Sequence, residues 1–210
     1  MPVIRSGTGR APAWSELDRF EIVRLAAGEA RRFARSSPQE KLILAAGRAY
    51  IAFEGKTVNA EPGTNLDLSR LDSNFEVRAQ DACMLVLFCG RWGAHVGGSG
   101  LFSVENSPAP KDGGDPVAYP KQTNFDCHYH DCDEFWVLLE GRGVAISENR
   151  RYEVAAGDCV ATGRGHHHDF PIVHAPVRAV YFETSLEGQK RVGHLWDHTH
   201  GPAVPCLERV

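Results

Sequence analysis

The sequence predicts an all-β protein, built as a sandwich or barrel of short strands. Short apolar runs rich in Val, Ile, Phe and Tyr recur along the chain, and Gly and Pro separate them, as expected of strands joined by turns. Few segments show the periodicity of a helix. The runs that carry this prediction are 20–25, 41–44, 49–53, 84–88, 135–139, 144–146 and 177–182.

An internal repeat also supports this fold class. At an offset of 94 residues the two halves of the chain align without a gap, with Gly47 on Gly141 and Gly63 on Gly157. Both halves therefore keep the same interval between two glycines, which fits a two-stranded hairpin between turns. We expect two copies of one β unit.

The repeat predicts how the chain is organised. We expect an N-terminal unit over 1–106, a Pro-, Gly- and Asp-rich linker over 107–121 and a second unit over 122–188. The tail, 189–210, is expected to fold over the barrel or to pack against the N-terminal half or another subunit, although its aromatic and imidazole groups could also bind a second metal. Those groups are His194, Trp196, His198 and His200.

The amino-acid composition indicates which cellular compartment and which partners to expect. The 210 residues are 42% apolar and 24% charged, as in an ordinary globular protein, and the net charge of -4 gives no basic field for nucleic acid. No apolar run is long enough to span a membrane. We expect no signal peptide at the N-terminus, and the six cysteines show no CxxC spacing, so we expect reduced thiols in a cytoplasmic protein.

The richest chemistry of the sequence lies at 128–134, which reads His-Tyr-His-Asp-Cys-Asp-Glu. Alternate residues of a strand point to one face, so His128 and His130 can aim at one point. Glu134 adds a carboxylate before an apolar run, where an unpaired charge would be expensive, and His168 adds a third imidazole. This set suits one divalent transition metal, Fe, Mn, Ni, Co or Zn.

Only the second half carries this set. At the offset of 94, Glu134 keeps an equivalent in Glu40, but the three imidazoles have none. The residues at their positions are Ala34, Ser36 and Asn74. We expect the first half to be a structural or dimerising copy, or a lid, and we place the chemistry in the second half.

The second half resembles the cupin superfamily. His128, His130, Glu134 and Gly141 match the spacing HxH-x3-E-x6-G of its first motif, although the Gly that leads the motif is absent. Its second motif is G-x5-P-x-G-x2-H-x3-N. Three positions match it, Gly157, Gly165 and His168, whereas Gly163 stands for the Pro and Ile172 for the Asn.

The resemblance implies a fold and a site. The fold is a double-stranded β-helix, a small jelly-roll barrel, so the repeat makes the chain look like a bicupin with a degenerate N-terminal unit. The ligands carried over are His128, His130, Glu134 and His168, which would leave one or two coordination positions open. A homodimer is expected from the resemblance alone.

Other residues of the motif region leave alternatives open. Trp136 is two residues after Glu134, so both side chains would point to the same face of a strand. Trp136 therefore either lines the pocket or packs in the core. Tyr181 is a second pocket candidate. Arg164 either holds an anionic substrate group or is a solvated turn charge. His166 lines the pocket or replaces His168 as ligand, and Cys132 is a weaker ligand candidate.

These observations favour a metal-dependent cupin that acts on a small polar metabolite. Cupin dioxygenases and cupin sugar isomerases are the two enzyme classes considered, and 134–141 loosely resembles the mannose-phosphate isomerase motif E-x-W-x-V-x-x-G. A decarboxylase is also open. The alternative is a non-catalytic sensor or storage-type cupin. We expect a small-molecule ligand and neither nucleic acid nor membrane as a partner.

Overall fold

A computed structural model describes residues 3–5, 10–68, 74–108, 113–189, 192 and 202–210. The chain forms two compact units. The N-terminal unit is Leu17–Trp92, and the C-terminal unit comprises Met1–Glu16 and Gly93–Val210. The strand β1 (Val3–Ile4) belongs to the C-terminal unit, and β2 to β9 belong to the N-terminal unit.

Two four-stranded antiparallel sheets form the N-terminal unit, with the orders β2-β9-β4-β7 and β3-β8-β5-β6. Apolar side chains of both sheets form its core, and the alternation in β8 shows why: Phe75, Val77 and Ala79 are buried, whereas Glu76 and Arg78 are not. The strands are β2 (Leu17–Leu25), β3 (Ala30–Phe33), β4 (Gln39–Ala46), β5 (Ala49–Phe53), β6 (Lys56–Ala60), β7 (Asn65–Asp67), β8 (Phe75–Ala79) and β9 (Cys83–Gly90).

One six-stranded sheet forms the C-terminal unit, with the order β1-β13-β11-β14-β10 and β12 paired to β11. Its long strands β11 and β14 pair antiparallel with several register shifts, which bend them. Besides β1, the strands are β10 (Ser99–Val104), β11 (Glu134–Ser147), β12 (Arg150–Ala155), β13 (Cys159–Thr162) and β14 (His168–Glu183), and a 3-10 helix follows at Glu187–Gln189. The start of β11 is buried continuously, as expected of a strand covered on both faces.

Equivalent turns recur in the two units. The backbone φ is positive at Gly47 (72°) and at Gly141 (80°), and it is also positive at Glu54 (48°) and Glu148 (56°). A positive φ is unfavourable for a residue with a side chain, so its recurrence at the offset of 94 residues indicates the same turn in both units. The turns therefore follow the repeat that the sequence predicts.

Strand pairing follows the same offset. Glu40 in β4 pairs with Cys89 in β9, and Glu134 in β11 pairs with Glu183 in β14. In each unit, a glutamate near the start of one strand thus pairs with a residue near the end of the adjacent strand of the same sheet. The fold is all-β, as the sequence predicts, and the described residues contain no helix with the length and apolar character needed to cross a bilayer.

The unit boundaries differ from the predicted ones. The segment 93–106 was predicted to end the first unit, but β10 pairs with β14 and belongs to the C-terminal unit. The predicted linker 107–121 also lies within that unit, and its described part is tied down there, since Tyr119 Oη and Lys121 Nζ donate to the Asp169 carboxylate at 2.7 and 2.8 Å. Sequence turn signals could not reveal these long-range pairings.

We predict that Gly141→Ala destabilises the C-terminal unit much more than Gly188→Ala. Both glycines have positive φ, but a Cβ at Gly141 would lie 2.0 Å from the Pro176 carbonyl oxygen, whereas a Cβ at Gly188 would meet nothing within 4 Å. Backbone strain alone costs about 1 kcal/mol at Gly188, and the clash adds at least about 2 kcal/mol at Gly141. Urea midpoints of the two variants measure this difference, and equal midpoints would contradict it.

Candidate metal centre

A pair of backbone hydrogen bonds places the first and last imidazoles side by side. The His128 N–H donates to the His168 carbonyl oxygen at 3.2 Å, and the His168 N–H donates to the His128 carbonyl oxygen at 2.9 Å. The sequence predicts a strand for the HxH pair, but the pair lies outside the strands, and β11 begins only at Glu134. The Gly165 N–H donates to the His130 carbonyl oxygen at 2.7 Å and holds the second imidazole of the pair.

Four side chains converge at this point. Glu134 Oε2 lies 2.8 Å from His168 Nε2 and 3.3 Å from His130 Nε2, and the His128 and His168 ring centroids are 4.3 Å apart. One potential ligand atom from each of the four residues lies within 4.8 Å of the others. All four residues are buried. The structure thus brings together the residues that the sequence singles out.

Backbone carbonyls orient two of the imidazoles. His128 Nδ1 lies 2.7 Å from the Asp126 carbonyl oxygen, and His168 Nδ1 lies 3.1 Å from the His166 carbonyl oxygen. A carbonyl only accepts, so each Nδ1 carries a proton, and the Nε2 of a neutral ring then offers a lone pair to the centre. This arrangement is typical of histidines that bind a metal.

The electrostatics of the cluster favour a neutral His128 and an ionised Glu134. Burial, reinforced by His168 and His130, holds the pKa of His128 well below its usual value. Burial by itself would raise the pKa of Glu134, but the facing imidazoles of His130 and His168 outweigh burial and hold that pKa well below its ordinary range. These are the protonation states that a metal site requires.

Two ligand atoms are left without ordinary hydrogen bonds. Glu134 Oε2 and His168 Nε2 are buried and make no hydrogen bond of normal geometry. A buried carboxylate oxygen without a partner is unfavourable by at least about 1–3 kcal/mol. A divalent cation between the nitrogen and oxygen atoms would satisfy both, and the donor set of imidazoles and one carboxylate suits such an ion.

A cavity of ≈ 210 Å³ opens onto the cluster. The sequence-predicted pocket residues Trp136 and Tyr181 line it. Trp136 also packs in the core, with its ring centroid 5.3 Å from that of His168, so both interpretations of this tryptophan hold. The complete lining is Phe102, Phe125, His128, His130, Glu134, Trp136, Tyr181 and Glu183.

Three residues of this lining were missed by the sequence analysis. Phe102 comes from β10, Phe125 precedes the HxH pair and Glu183 ends β14 opposite Glu134. A signal for Glu183 was available, because it is a carboxylate directly after the apolar run 177–182, as Glu134 is directly before 135–139. No local signal marks the two phenylalanines, which look like ordinary core residues.

Arg164 and His166 do not line this cavity. Arg164 Nη1 lies 3.6 Å from Glu187 Oε1 beside a separate depression, and His166 Nε2 lies 3.0 Å from the Cys206 carbonyl oxygen. Cys132 is buried outside the four-residue cluster, and burial raises the pKa of its thiol, which makes it a poor ligand. These three candidates of the sequence analysis therefore lie outside the four-residue cluster and do not line its cavity.

Comparison with known proteins identifies the family. The cupin domain model matches residues 117–183, which include all four converging residues. The chain therefore contains a cupin domain in its C-terminal unit. It is also 45% identical over 213 residues to the uncharacterized protein y4oW of Sinorhizobium fredii, covering 100% of this chain and 97% of that protein.

Solved cupin-like structures share the fold at low identity. Hazelnut (Corylus avellana) vicilin has a TM-score of 0.58 at 12% identity, covering 91% of this chain and 82% of vicilin. An IolB-like protein from Salmonella typhimurium has a TM-score of 0.54 at 14% identity, covering 88% and 92%. A Bacillus subtilis oxalate decarboxylase studied for its Mn(II) centres has a TM-score of 0.53 at 10% identity, covering 85% and 71%.

The C-terminal segment 202–210 of this cupin packs beside the site. The Cys206 N–H donates to the Arg164 carbonyl oxygen at 3.1 Å. A Cβ at Gly163 would lie 2.4 Å from the Arg209 carbonyl oxygen, and a Cβ at Gly165 would lie 2.1 Å from the Val204 carbonyl oxygen. Close approach of this segment thus explains why Gly163 replaces the proline of the family motif.

Residues 202–210 of the tail thus pack on the C-terminal unit. The His-rich part of the tail lies outside the described residues, so the second metal site considered for it has no structural account. Its members are His194, Trp196, His198 and His200.

An ion pair fixes this segment next to Glu134. The Asp133 carboxylate is buried, accepts the Arg164 N–H at 3.0 Å and pairs with the Arg209 guanidinium. Burial raises the pKa of Asp133 to about 6, and Arg209 opposes this effect. The arginine is thus the cation that compensates a buried charge one residue from the site.

We predict that Arg209→Ala lowers the free energy of unfolding by about 2 kcal/mol, because it leaves one oxygen of Asp133 buried without its charge partner. The matched control is Arg178→Ala, which removes an exposed pair with Glu140 and costs under about 1 kcal/mol. Denaturant titration of both variants tests this. A loss at Arg209 no larger than at Arg178 would contradict it.

Proposed function

We propose that this cupin is a metal-dependent enzyme acting on a small organic molecule. His128, His130, Glu134 and His168 hold one divalent transition metal, Fe, Mn, Ni, Co or Zn. The observation that carries the proposal is the buried convergence of these four groups, in which Glu134 Oε2 and His168 Nε2 make no normal hydrogen bond.

The cavity beside the cluster favours a catalytic function over a sensor or storage function. A bound divalent ion supplies Lewis-acid polarisation of a substrate oxygen, or activation of dioxygen when it is redox-active. The residues of the chain orient the substrate and exclude water from it. Four aromatic side chains form the apolar walls, namely Phe102, Phe125, Trp136 and Tyr181.

The lining favours an oxidation over the isomerisation of a sugar phosphate. Among the described residues that line the cavity, none is lysine or arginine, the side chains that ordinarily bind a phosphate. The volume of ≈ 210 Å³ is that of about seven water molecules, so the substrate is small. We therefore favour the dioxygenase class.

We further propose that the N-terminal unit is a degenerate cupin unit. Its Glu40 carboxylate is buried like that of Glu134, but Glu40 Oε1 accepts hydrogen bonds from the Ser36 hydroxyl at 2.9 Å and the Ser36 N–H at 2.8 Å. These bonds replace the compensation that a metal would give. The vicilin likeness covers 91% of the chain, more than the C-terminal unit alone, and supports the proposal.

Substituting the two equivalent glutamates gives a matched test of the metal site. We predict that Glu134→Gln loses nearly all of about one equivalent of bound metal, a larger effect than the roughly 10–100-fold loss of affinity caused by removing an outer-shell partner. Glu40→Gln should retain the full equivalent, because no imidazole surrounds Glu40. Elemental analysis of the purified variants measures both.

Thermal unfolding provides an independent readout. Added metal at 100-fold excess over Kd should stabilise the wild type and Glu40→Gln by about 2.7 kcal/mol, and should not stabilise Glu134→Gln. Full metal retention in Glu134→Gln would overturn the ligand assignment. Loss of half the metal in Glu40→Gln would show that the N-terminal unit also binds an ion.

The reaction class is tested on the metal-loaded protein. Consumption of dioxygen in step with loss of a small organic substrate, measured with an oxygen electrode and mass spectrometry, is the expected result. Aldose–ketose exchange without oxygen uptake would support the isomerase, and release of CO₂ would support a decarboxylase. A tightly bound metabolite that is never turned over would support the sensor.

The assembly and the location of the protein stay predictions. A homodimer is expected from the family resemblance, and light scattering of the purified protein measures it. The cytoplasmic location is expected from the sequence, and fractionation of cells that produce the full chain tests it.

A further inference from the structure

A second carboxylate faces the candidate metal centre. Glu183 is buried at the end of β14, lines the cavity and lies with Oε1 3.8 Å from His130 Nε2. It stands outside the group of four ligand atoms that lie within 4.8 Å of one another. Glu183 therefore sits where a molecule in the cavity would meet it next to the metal.

A glycine-rich segment holds this carboxylate. The Gly98 N–H donates to Glu183 Oε2, and the Glu183 N–H donates to the Gly98 carbonyl oxygen at 2.9 Å. A Cβ at Gly97 would lie 2.1 Å from Glu183 Oε2, so only glycine permits this approach. At Gly100 a Cβ would lie 3.1 Å from Tyr181 Cε1, which is another wall of the cavity.

Besides the four candidate ligands, the polar groups of the lining include the Glu183 carboxyl group and the Tyr181 hydroxyl, and Glu183 is the acidic one. Glu183 Oε2 accepts the Gly98 N–H, while Oε1 lies on the side of His130, and a carboxylate oxygen is a hydrogen-bond acceptor. Beside it stand aromatic rings in mutual contact, for example those of Phe102 and Trp136 with centroids 5.7 Å apart. Such walls bind an apolar body and, through their faces, tolerate a cation.

The charge of the site points to the same ligand class. Glu134 and Glu183 place two carboxyl groups beside the proposed cation, and two carboxylates would balance a divalent charge and leave no net attraction for an anion. An anionic group near Glu183 would be repelled, whereas an ammonium or hydroxyl group would donate a hydrogen bond to it.

We propose that Glu183, held by Gly97 and Gly98, makes this cavity select a small molecule with an apolar body and a hydrogen-bond donor, an ammonium or a hydroxyl group, over a carboxylate of the same shape. The assignment rests on the proposed function, since it names the substrate class of the same site. Glu183 is thus a specificity-determining residue and not a metal ligand.

Three small molecules that share a phenyl ring and one attached carbon, and differ in their polar group, test the assignment. Calorimetry of the metal-loaded protein with benzylamine, benzyl alcohol and benzoate should show benzylamine binding at least about tenfold more tightly than benzoate, the factor expected of one charge-assisted hydrogen bond. Benzyl alcohol should lie between them. Equal affinities, or no binding of benzylamine at millimolar concentration, would overturn the proposal.

Variants separate selectivity from metal binding. Glu183→Gln should retain its metal and lose the preference for benzylamine, whereas Glu187→Gln, which changes an exposed glutamate of the same unit, should keep it. Gly97→Ala should reproduce the loss by displacing Glu183. Gly113→Ala, whose Cβ would meet only Asp126 at 3.8 Å, is its control.

The outcomes distinguish this proposal from the proposed function. Metal loss in Glu183→Gln would make Glu183 a ligand, and an unchanged preference in that variant would reject its role in selection. A wild type without metal would reject the proposed metal site alone, and the benzylamine-to-benzoate ratio of the metal-free wild type and of Glu183→Gln would still decide the role of Glu183.

Discussion

The burial of the Glu134 carboxylate among three imidazoles is the constraint on which the site depends. Removing an ionised carboxylate from water is costly, and here the facing imidazoles of His130 and His168 hold the pKa of Glu134 low, while burial holds the pKa of His128 well below its usual value. The arrangement has lone pairs on both nitrogen and oxygen facing one point. A cation at that point would complete the arrangement.

Strand pairing positions the chemistry in this cupin. Glu134 begins β11, His168 begins β14, and the pairing of the two long strands places Glu183 beside Glu134. The HxH pair is held by the bridge to His168 and not by a strand of its own. Strands therefore support the base of the site, and Phe102 of β10 completes the wall of its cavity.

The two units compensate a buried glutamate at the equivalent position in different ways. Glu40 and Glu134 are equivalent and both are buried, but Glu40 is satisfied by the hydroxyl and the N–H of Ser36, whereas Glu134 faces imidazoles. Cys89 takes the place of Glu183 opposite Glu40. Where the imidazoles are absent, local hydrogen bonds from Ser36 thus satisfy the buried glutamate.

The sequence by itself determined the all-β class, the offset of the repeat and the four converging residues, because strand periodicity, turn glycines and ligand spacing are local patterns. Only the tertiary structure decided the unit boundaries, the packing of 202–210 over the Gly-Arg-Gly turn at 163–165, and the cavity wall of Phe102, Phe125 and Glu183. These depend on which distant segments pair. Such pairing follows from the burial of apolar surface by the whole unit and leaves no mark on the residues nearby in the chain.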